Sequence, residues 1–450
     1  MAISRNLPVA QQALGAGACC GACAQEAARP ARRPISRATD RRITFAGVAF
    51  AAAFLGLAIA SLALPVAERR GWWLPLHLGL AGAAGTAIGA VLPFFTAALA
   101  VAPPAAPVVR GFAVTLLPIG ALLVSAGFVR GAAPLAVAGG LAYLIGLLLV
   151  AVAAFAPLLG SLGPRRRLVE GAYVAALGQA FVAVAIATAM LAGVGSVVLN
   201  WAALKPAHAW LNVFGFVSLI VAATLVHLGP TVAGTRIRPR RSALVAVCSL
   251  AAGAPIVAAG LAFGSDPVAR LGALVELVGA GALVLHGLAV ARDRGRWTTD
   301  PSWHRMTSWS LLAAPAWLLV TVAVLAERLV SLGASPASWT LDAVAAPLAL
   351  GWVGQVLVGS WSHLLPALGP GDATIHARQR IVLGRWVTAR FVALNSGVAG
   401  VLVGTLAGDP RAVSVGLVVA LASMATSVGL FVMAAIGARG VDQVRAVATG

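Results

Sequence analysis

The stretch "GFVSLIVAATLVHLGP", Gly215–Pro230, is apolar but for two hydroxyl residues and one histidine near its end. A second stretch, "GWVGQVLVGSWSHLLP", Gly351–Pro366, follows the same template. Each opens with Gly-aromatic-Val and places a histidine, His227 or His363, twelve residues after the glycine. A leucine follows, and a proline stands three residues beyond the histidine. Two apolar helices on one template predict an internal repeat, and the question is how far that repeat extends.

The composition puts the repeat in a membrane. Of 450 residues, 60% are hydrophobic and 10% charged, against about 25% charged in a soluble domain. Mean hydropathy is +0.95. Apolar runs long enough to cross a ~30 Å hydrocarbon core are expected at about 43–66, 73–100, 110–128, 132–156, 170–194, 209–235, 242–263, 269–292, 306–332, 342–366, 387–407 and 412–437. The expected fold is all-α, a polytopic membrane protein of about twelve transmembrane helices. Residues 1–42 read as a basic, disordered cytoplasmic tail, 43–437 as the transmembrane domain and 438–450 as a short cytoplasmic tail.

A net charge of +19 would suit nucleic acid if it were clustered on a soluble face. It is distributed by loop instead. With the N-terminus placed inside, 25 of the 32 Lys and Arg fall on the inner side and 7 on the outer, in strict alternation, as the positive-inside rule requires. The expectation is therefore a lipid bilayer partner, no nucleic-acid partner, and a multi-pass bacterial plasma-membrane protein with both termini cytoplasmic. Cysteine usage adds little. Cys248 reads as a small apolar filler. Cys20 and Cys23 form a CxxC in the tail, with no second pair or nearby histidine to complete a zinc site.

The two quoted stretches lie on helices 6 and 10, four spans apart. Helix 2, "WWLPLHLGLAGAAGTAIGAVLPFF", occupies the same phase. The chain thus reads as a three-fold repeat of four-helix units with helices 2, 6 and 10 equivalent. Helix 2 carries Gly79, Gly82, Gly85 and Gly89, which suit close helix packing.

Histidines are the candidate ligands, because neutral imidazole binds copper and haem iron. His77 and His208 fall at the outer ends of helices 2 and 6 within an aromatic belt of Trp72, Trp73, Trp201 and Trp210, where a cofactor would face outside donors. His227, His286 and His363 fall near the inner ends of helices 6, 8 and 10 as a possible metal set, with Thr224 and Ser360 one turn before two of them. Capping of helix ends is the alternative role for these rings. His304 and His376 are expected in solvated loops. Glu276, inside helix 8, is an ionisable group at a depth where charge is costly and usually functional. Gln179, Gln355 and Asn395 are expected to hydrogen-bond between helices, and Arg390 to reach the inner surface.

The segment "AHAWLNVFGFVSLIVAATLVHLGPTVAGTRI" (residues 207–237) resembles the pattern AHxxxNxxGxxxLxxxGTLxxLxPTxxxTRI. That pattern belongs to the membrane-embedded region of actinobacterial copper-containing nitrite reductase and multicopper oxidase fusions. "GWVGQVLVGSWSHLLPAL", "RFVALNSGV" and "HLGLAGAAGTAI" resemble other helices of that region. The soluble copper-binding domains of such fusions are missing from this chain. Twelve spans in three units are also similar to the haem–copper oxidase catalytic subunit and to nitric-oxide-response haem and copper membrane proteins. Helix 7 lacks the histidine pair that an oxidase binuclear centre would need.

The resemblance implies an accessory role in copper, haem or nitrogen-oxide redox metabolism, with one haem or copper held by histidines and a soluble copper protein or other electron-transfer partner. Two further readings stand beside it. One is a transporter of a proton or metal cation using Glu276 and the inner histidines; the other is a non-catalytic membrane scaffold. Whether the chain is an enzyme stays open at this point.

Overall fold

A computed structural model of the protein describes residues 37–159, 167–295, 299–335, 343–368 and 372–448. The Cys20–Cys23 motif and most of the N-terminal tail lie outside them. Twelve helices are long and apolar enough to cross a membrane. They are α1 (Arg42–Ser61), α2 (Trp73–Ala100), α3 (Pro107–Arg130), α4 (Ala133–Leu159), α5 (Arg167–Leu191) and α6 (Trp201–Val232), followed by α7 (Arg241–Ala262), α8 (Asp266–Arg294), α9 (Ser302–Leu332), α10 (Pro347–Ala367), α11 (Val387–Ala407) and α12 (Pro410–Ile436). No strand occurs among the described residues. The protein is an all-α, multi-pass membrane protein. Helical structure continues past α12 to Ala448.

The repeat has a backbone signature. Each of α2, α6 and α10 contains an eight-residue π-helical segment, at His77–Ala84, Leu211–Ser218 and Pro347–Gly354. The second and third begin at the same offset as the quoted stretches, Leu211 to Pro347 matching Gly215 to Gly351. π-Turns are rare and frequently mark functional positions, so three in one phase of a twelve-helix chain define equivalent helices. These helices are also the most enclosed: 56%, 72% and 61% of their apolar windows are buried, against 50% or less in every other span. The π segment of α2 touches those of α6 and α10. Trp352, fully buried in the α10 segment, donates its indole N–H to Ser218 Oγ in the α6 segment at 3.0 Å.

A second signature lies at the other end of each unit. The most extensive helix pairings in the molecule are α3 with α4, α7 with α8 and α11 with α12. Their turns share a sequence: "GFVRGAAP" (Gly127–Pro134), "GLAFGSDP" (Gly260–Pro267) and "GTLAGDP" (Gly404–Pro410). The first glycine of each lets the following helix lie against its backbone. A methyl added at Gly127, Gly260 or Gly404 would collide with the backbone nitrogen of Ala136, Ala269 or Val413. The second glycine, Gly131, Gly264 or Gly408, takes a left-handed φ of 69°, 64° or 67°, which ends the helix without a Cβ penalty. Proline then starts the return helix within its first turns, where a missing N–H costs nothing. In the third copy Asp409 also accepts from the N–H groups of Arg411 and Ala412.

The structure departs from the sequence reading in several places, and His376, expected in a loop, lies on the short helix Ala373–Leu383. The helix of α6 starts at Trp201, eight residues before the expected 209, because "WAALKPA" is helical although Lys205 lowers its hydropathy. Arg390 does not reach the surface. It is 3% exposed, and its guanidinium donates to Leu383 O at 2.6 Å, Arg385 O at 3.0 Å and Ser427 Oγ at 3.2 Å. Free carbonyls at the preceding turn thus replace water. His304 is likewise buried, at 8% exposure, in the first turn of α9 rather than in a solvated loop. Cys248 is exposed on α7 rather than packed as a filler.

Gly260→Ala is expected to lower thermal stability by about 1–3 kcal/mol, the usual cost of overpacking. Gly281→Ala, whose added methyl meets nothing within 4 Å, is expected to leave the unfolding midpoint in detergent unchanged or raised.

Candidate functional site

The π segment of α2 starts at His77, and His208 stands three residues before the π segment of α6. The two rings face each other across the arginine-poor ends of these helices, with centroids 6.5 Å apart and planes 11° from parallel. Each ring is oriented by a backbone carbonyl. His77 Nδ1 lies 2.7 Å from Trp73 O, one turn earlier, and His208 Nδ1 lies 2.8 Å from Ala183 O on α5. A carbonyl only accepts, so Nδ1 carries the proton in both rings and Nε2 keeps its lone pair. This is how metal-ligating histidines are commonly oriented. Trp73 stacks on His77 at 4.0 Å and on Phe128 of α3 at 4.0 Å. Trp201 lies 6.2 Å from His208, and Asn212 donates to His208 O at 3.0 Å.

The separation has a chemical meaning. Metal–imidazole bonds are about 2.0–2.1 Å, and the ring centre lies about 1.2 Å behind the nitrogen. At a centroid separation of 6.5 Å one ion would bridge the pair when both Nε2 atoms turn toward it. Among the described residues no group of three or more His, Cys, Asp or Glu could hold an ion. A pair of imidazoles would suit a haem iron, whose remaining ligands the porphyrin brings, or a copper(I) ion of low coordination number. Zinc and copper(II), which favour about four ligands, would need more than this pair provides.

The other expected ligands are not gathered into one site. His227 borders a cavity of about 150 Å³ with Phe95, Tyr173 and Leu228. Thr224 does not serve His227 alone: its hydroxyl lies 2.7 Å from Ile220 O and 2.9 Å from the Tyr173 hydroxyl. His286 is buried in α8 beside the Val226 backbone of α6. His363 sits 6.3 Å from His304 and 6.4 Å from Trp303. Glu276 is 0% exposed, and neither carboxylate oxygen meets a hydrogen-bond donor at normal geometry. It packs against Gly253 of α7, with the Trp210 indole of α6 beside it.

Of the interhelical amides, Gln179 donates to Ala251 O at 3.2 Å, and Asn395 accepts from Trp317 Nε1 at 2.7 Å, as expected. Gln355 does not follow; its side chain is buried without a partner. The glycines of α2 serve packing: Gly82 meets Phe54, Gly85 meets the Tyr143 hydroxyl, and Gly89 meets Leu117 and Val150.

The arginine-rich face holds a network that the sequence reading missed. His304 Nδ1 lies 3.0 Å from Asp300 Oδ2, and Nε2 lies 3.0 Å from Val232 O at the end of α6. Arg294 pairs with Asp300 and also donates to Ala233 O. One cluster thereby joins the ends of α6 and α8 to the start of α9. Burial disfavours the Asp300 carboxylate, but the His304 and Arg294 hydrogen bonds and charges outweigh it, holding its pKa below the ordinary carboxylate value.

No known protein-family model matches the chain, and no curated protein shows significant similarity to it.

Because the folded-state pKa of Asp300 is depressed, its contribution is present above the unfolded value near 3.8 and is lost as pH falls through the lower folded value. Asp300→Asn is expected to cost about 1–3 kcal/mol at neutral pH and to flatten stability across that acidic window. Unfolding curves against pH in detergent check both effects.

Proposed function

We propose that the chain is a membrane redox protein in which His77 and His208 hold one haem iron or copper ion at the arginine-poor face. The observation that carries this reading is the pair itself: two imidazoles from equivalent helices, 6.5 Å apart, each with Nδ1 fixed on a carbonyl and Nε2 left for a metal. The bound metal would supply one-electron chemistry, which no side chain here provides alone. The chain's own part is orientation and shielding. Trp73 O and Ala183 O fix the two tautomers, while Trp73 and Phe128 cover the His77 ring.

The resemblance of residues 207–237 to the membrane region of copper nitrite reductase and multicopper oxidase fusions supports an accessory role in copper, haem or nitrogen-oxide metabolism. On that reading the bacterial plasma membrane is the location, with the termini cytoplasmic and the His77–His208 end outside. A soluble copper or electron-transfer protein is the natural exchange partner.

A second reading rests on Glu276. A fully buried carboxyl group with only the Trp210 indole beside it suits a group that gains and loses a proton or cation during transport. Glu276→Gln would abolish such flux in proteoliposomes without altering metal content.

The test of the first reading is a visible spectrum with metal analysis, on protein purified from cells supplied with haem precursor and copper. The expected result is one equivalent of haem or copper. Its affinity should fall in His77→Ala or His208→Ala by more than the about 10–100-fold typical of losing an outer-shell partner. A colourless, metal-free protein that takes up neither would contradict the proposal and leave the transport reading.

A further inference from the structure

The "PTVAGTRIRPRR" segment, Pro230–Arg241, has no part in the histidine site. It forms the loop between α6 and α7 and borders a cavity of about 300 Å³ lined by Gly234, Thr235, Arg236, Arg238, Asp293 and Arg294. We infer that this cavity binds the phosphate headgroup of an anionic phospholipid.

Charge comes first. The loop and the adjoining end of α8 bring together Arg236, Arg238, Arg240, Arg241, Arg292 and Arg294 against two carboxylates, Asp293 and Asp300. Both carboxylates are engaged. Asp293 pairs with Arg240 and lies 3.8 Å from Arg238, while Asp300 pairs with Arg294 and His304. Arg236 pairs with no carboxylate among the described residues, Arg238 is held only at 3.8 Å from Asp293, and both line the cavity. The guanidinium fork matches phosphate oxygens two at a time.

Pre-organisation comes second. Arg294 donates to Ala233 O, the Asp293–Arg240 pair ties the loop to α8, and Thr235 Oγ1 donates to Pro230 O at 3.1 Å. Gly234 turns the chain with φ +73°, and a methyl there would stand 3.2 Å from Arg294 Nη1. The cavity is therefore built before any ligand arrives.

Position and size decide the ligand. The cavity sits where α6 ends, α7 begins and α8 ends, the level at which headgroups lie, and basic pockets between transmembrane helices suit anionic headgroups. Its volume exceeds a bare phosphate ion and accommodates a glycerophosphate. Ile237, between the two arginines, is 39% exposed, which suits contact with an acyl chain rather than with water.

The test uses the full chain, delipidated in neutral detergent, with its unfolding midpoint followed as phosphatidylglycerol, phosphatidylcholine or inorganic phosphate is added. Phosphatidylglycerol should stabilise the protein and phosphatidylcholine should not. Apparent affinity should fall about 30-fold in R236Q/R238Q, from the usual attraction of two arginines near an anionic surface, and only slightly in R236K/R238K. Mass spectrometry of retained lipid provides the same comparison should the glutamine variant unfold early. R130Q/R411Q, on the opposite face, should bind as the parent does. Equal loss in that control would reduce the effect to diffuse surface charge and overturn the site. Equal stabilisation by inorganic phosphate would assign the cavity to the free ion and overturn the lipid.

Discussion

Inside a bilayer no water is available to backbone or side-chain polar groups, so every one must find its partner in the protein. The three π-helical segments at the centre of this molecule form under that constraint. A π-turn loosens the regular ladder of carbonyls, and neighbouring helices supply donors. Tyr143 of α4 reaches Ala81 O in the α2 segment at 3.1 Å, and Trp352 and Ser218 satisfy each other between α10 and α6. The widened turns also change which residues face inward. His77 on α2 stands opposite His208 on α6 although the two lie at different distances from their π segments.

Glycine-backed hairpins carry the rest of the frame. Because α3–α4, α7–α8 and α11–α12 pack backbone to backbone, the outer helices occupy little width, and α2, α6 and α10 fill the centre. Polar groups then sort by depth. The histidine pair lies near one face, Glu276 beside the Trp210 indole and Gln355 without a partner lie within the bundle, and the Asp300–His304–Arg294 cluster closes the other face. The two groups within the bundle are the costly ones, and they stand beside the central helices, not at the lipid surface.

Much of this was legible in the sequence, and the reasons are particular. The twelve spans follow from hydropathy because lipid permits little else. His77 and His208 could be paired because both sit near the arginine-poor ends of helices in one repeat phase. The π segments could not be read: "LNVFGFVS" and "PLALGWVG" share Gly-aromatic-Val, but "HLGLAGAA" lacks it, and no residue pattern common to all three marks the wider turn. The GxxxG-to-proline hairpins were present as a motif, but they lie outside the stretches whose likeness was first apparent. His304 was misplaced because "TTDPSWHRM" reads as polar loop; Asp300 and Arg294 draw it inward. Arg390 was misplaced for a related reason, because nearby backbone carbonyls can substitute for water.

The central claim is that one imidazole from α2 and one from α6 converge on a single ion. X-ray absorption at the metal edge of the loaded protein reads coordinating imidazoles for iron and for copper(I) alike. Two imidazoles are predicted, falling to one when either His77 or His208 is replaced. A spectrum with no imidazole contribution, or one unchanged by either replacement, would contradict the account.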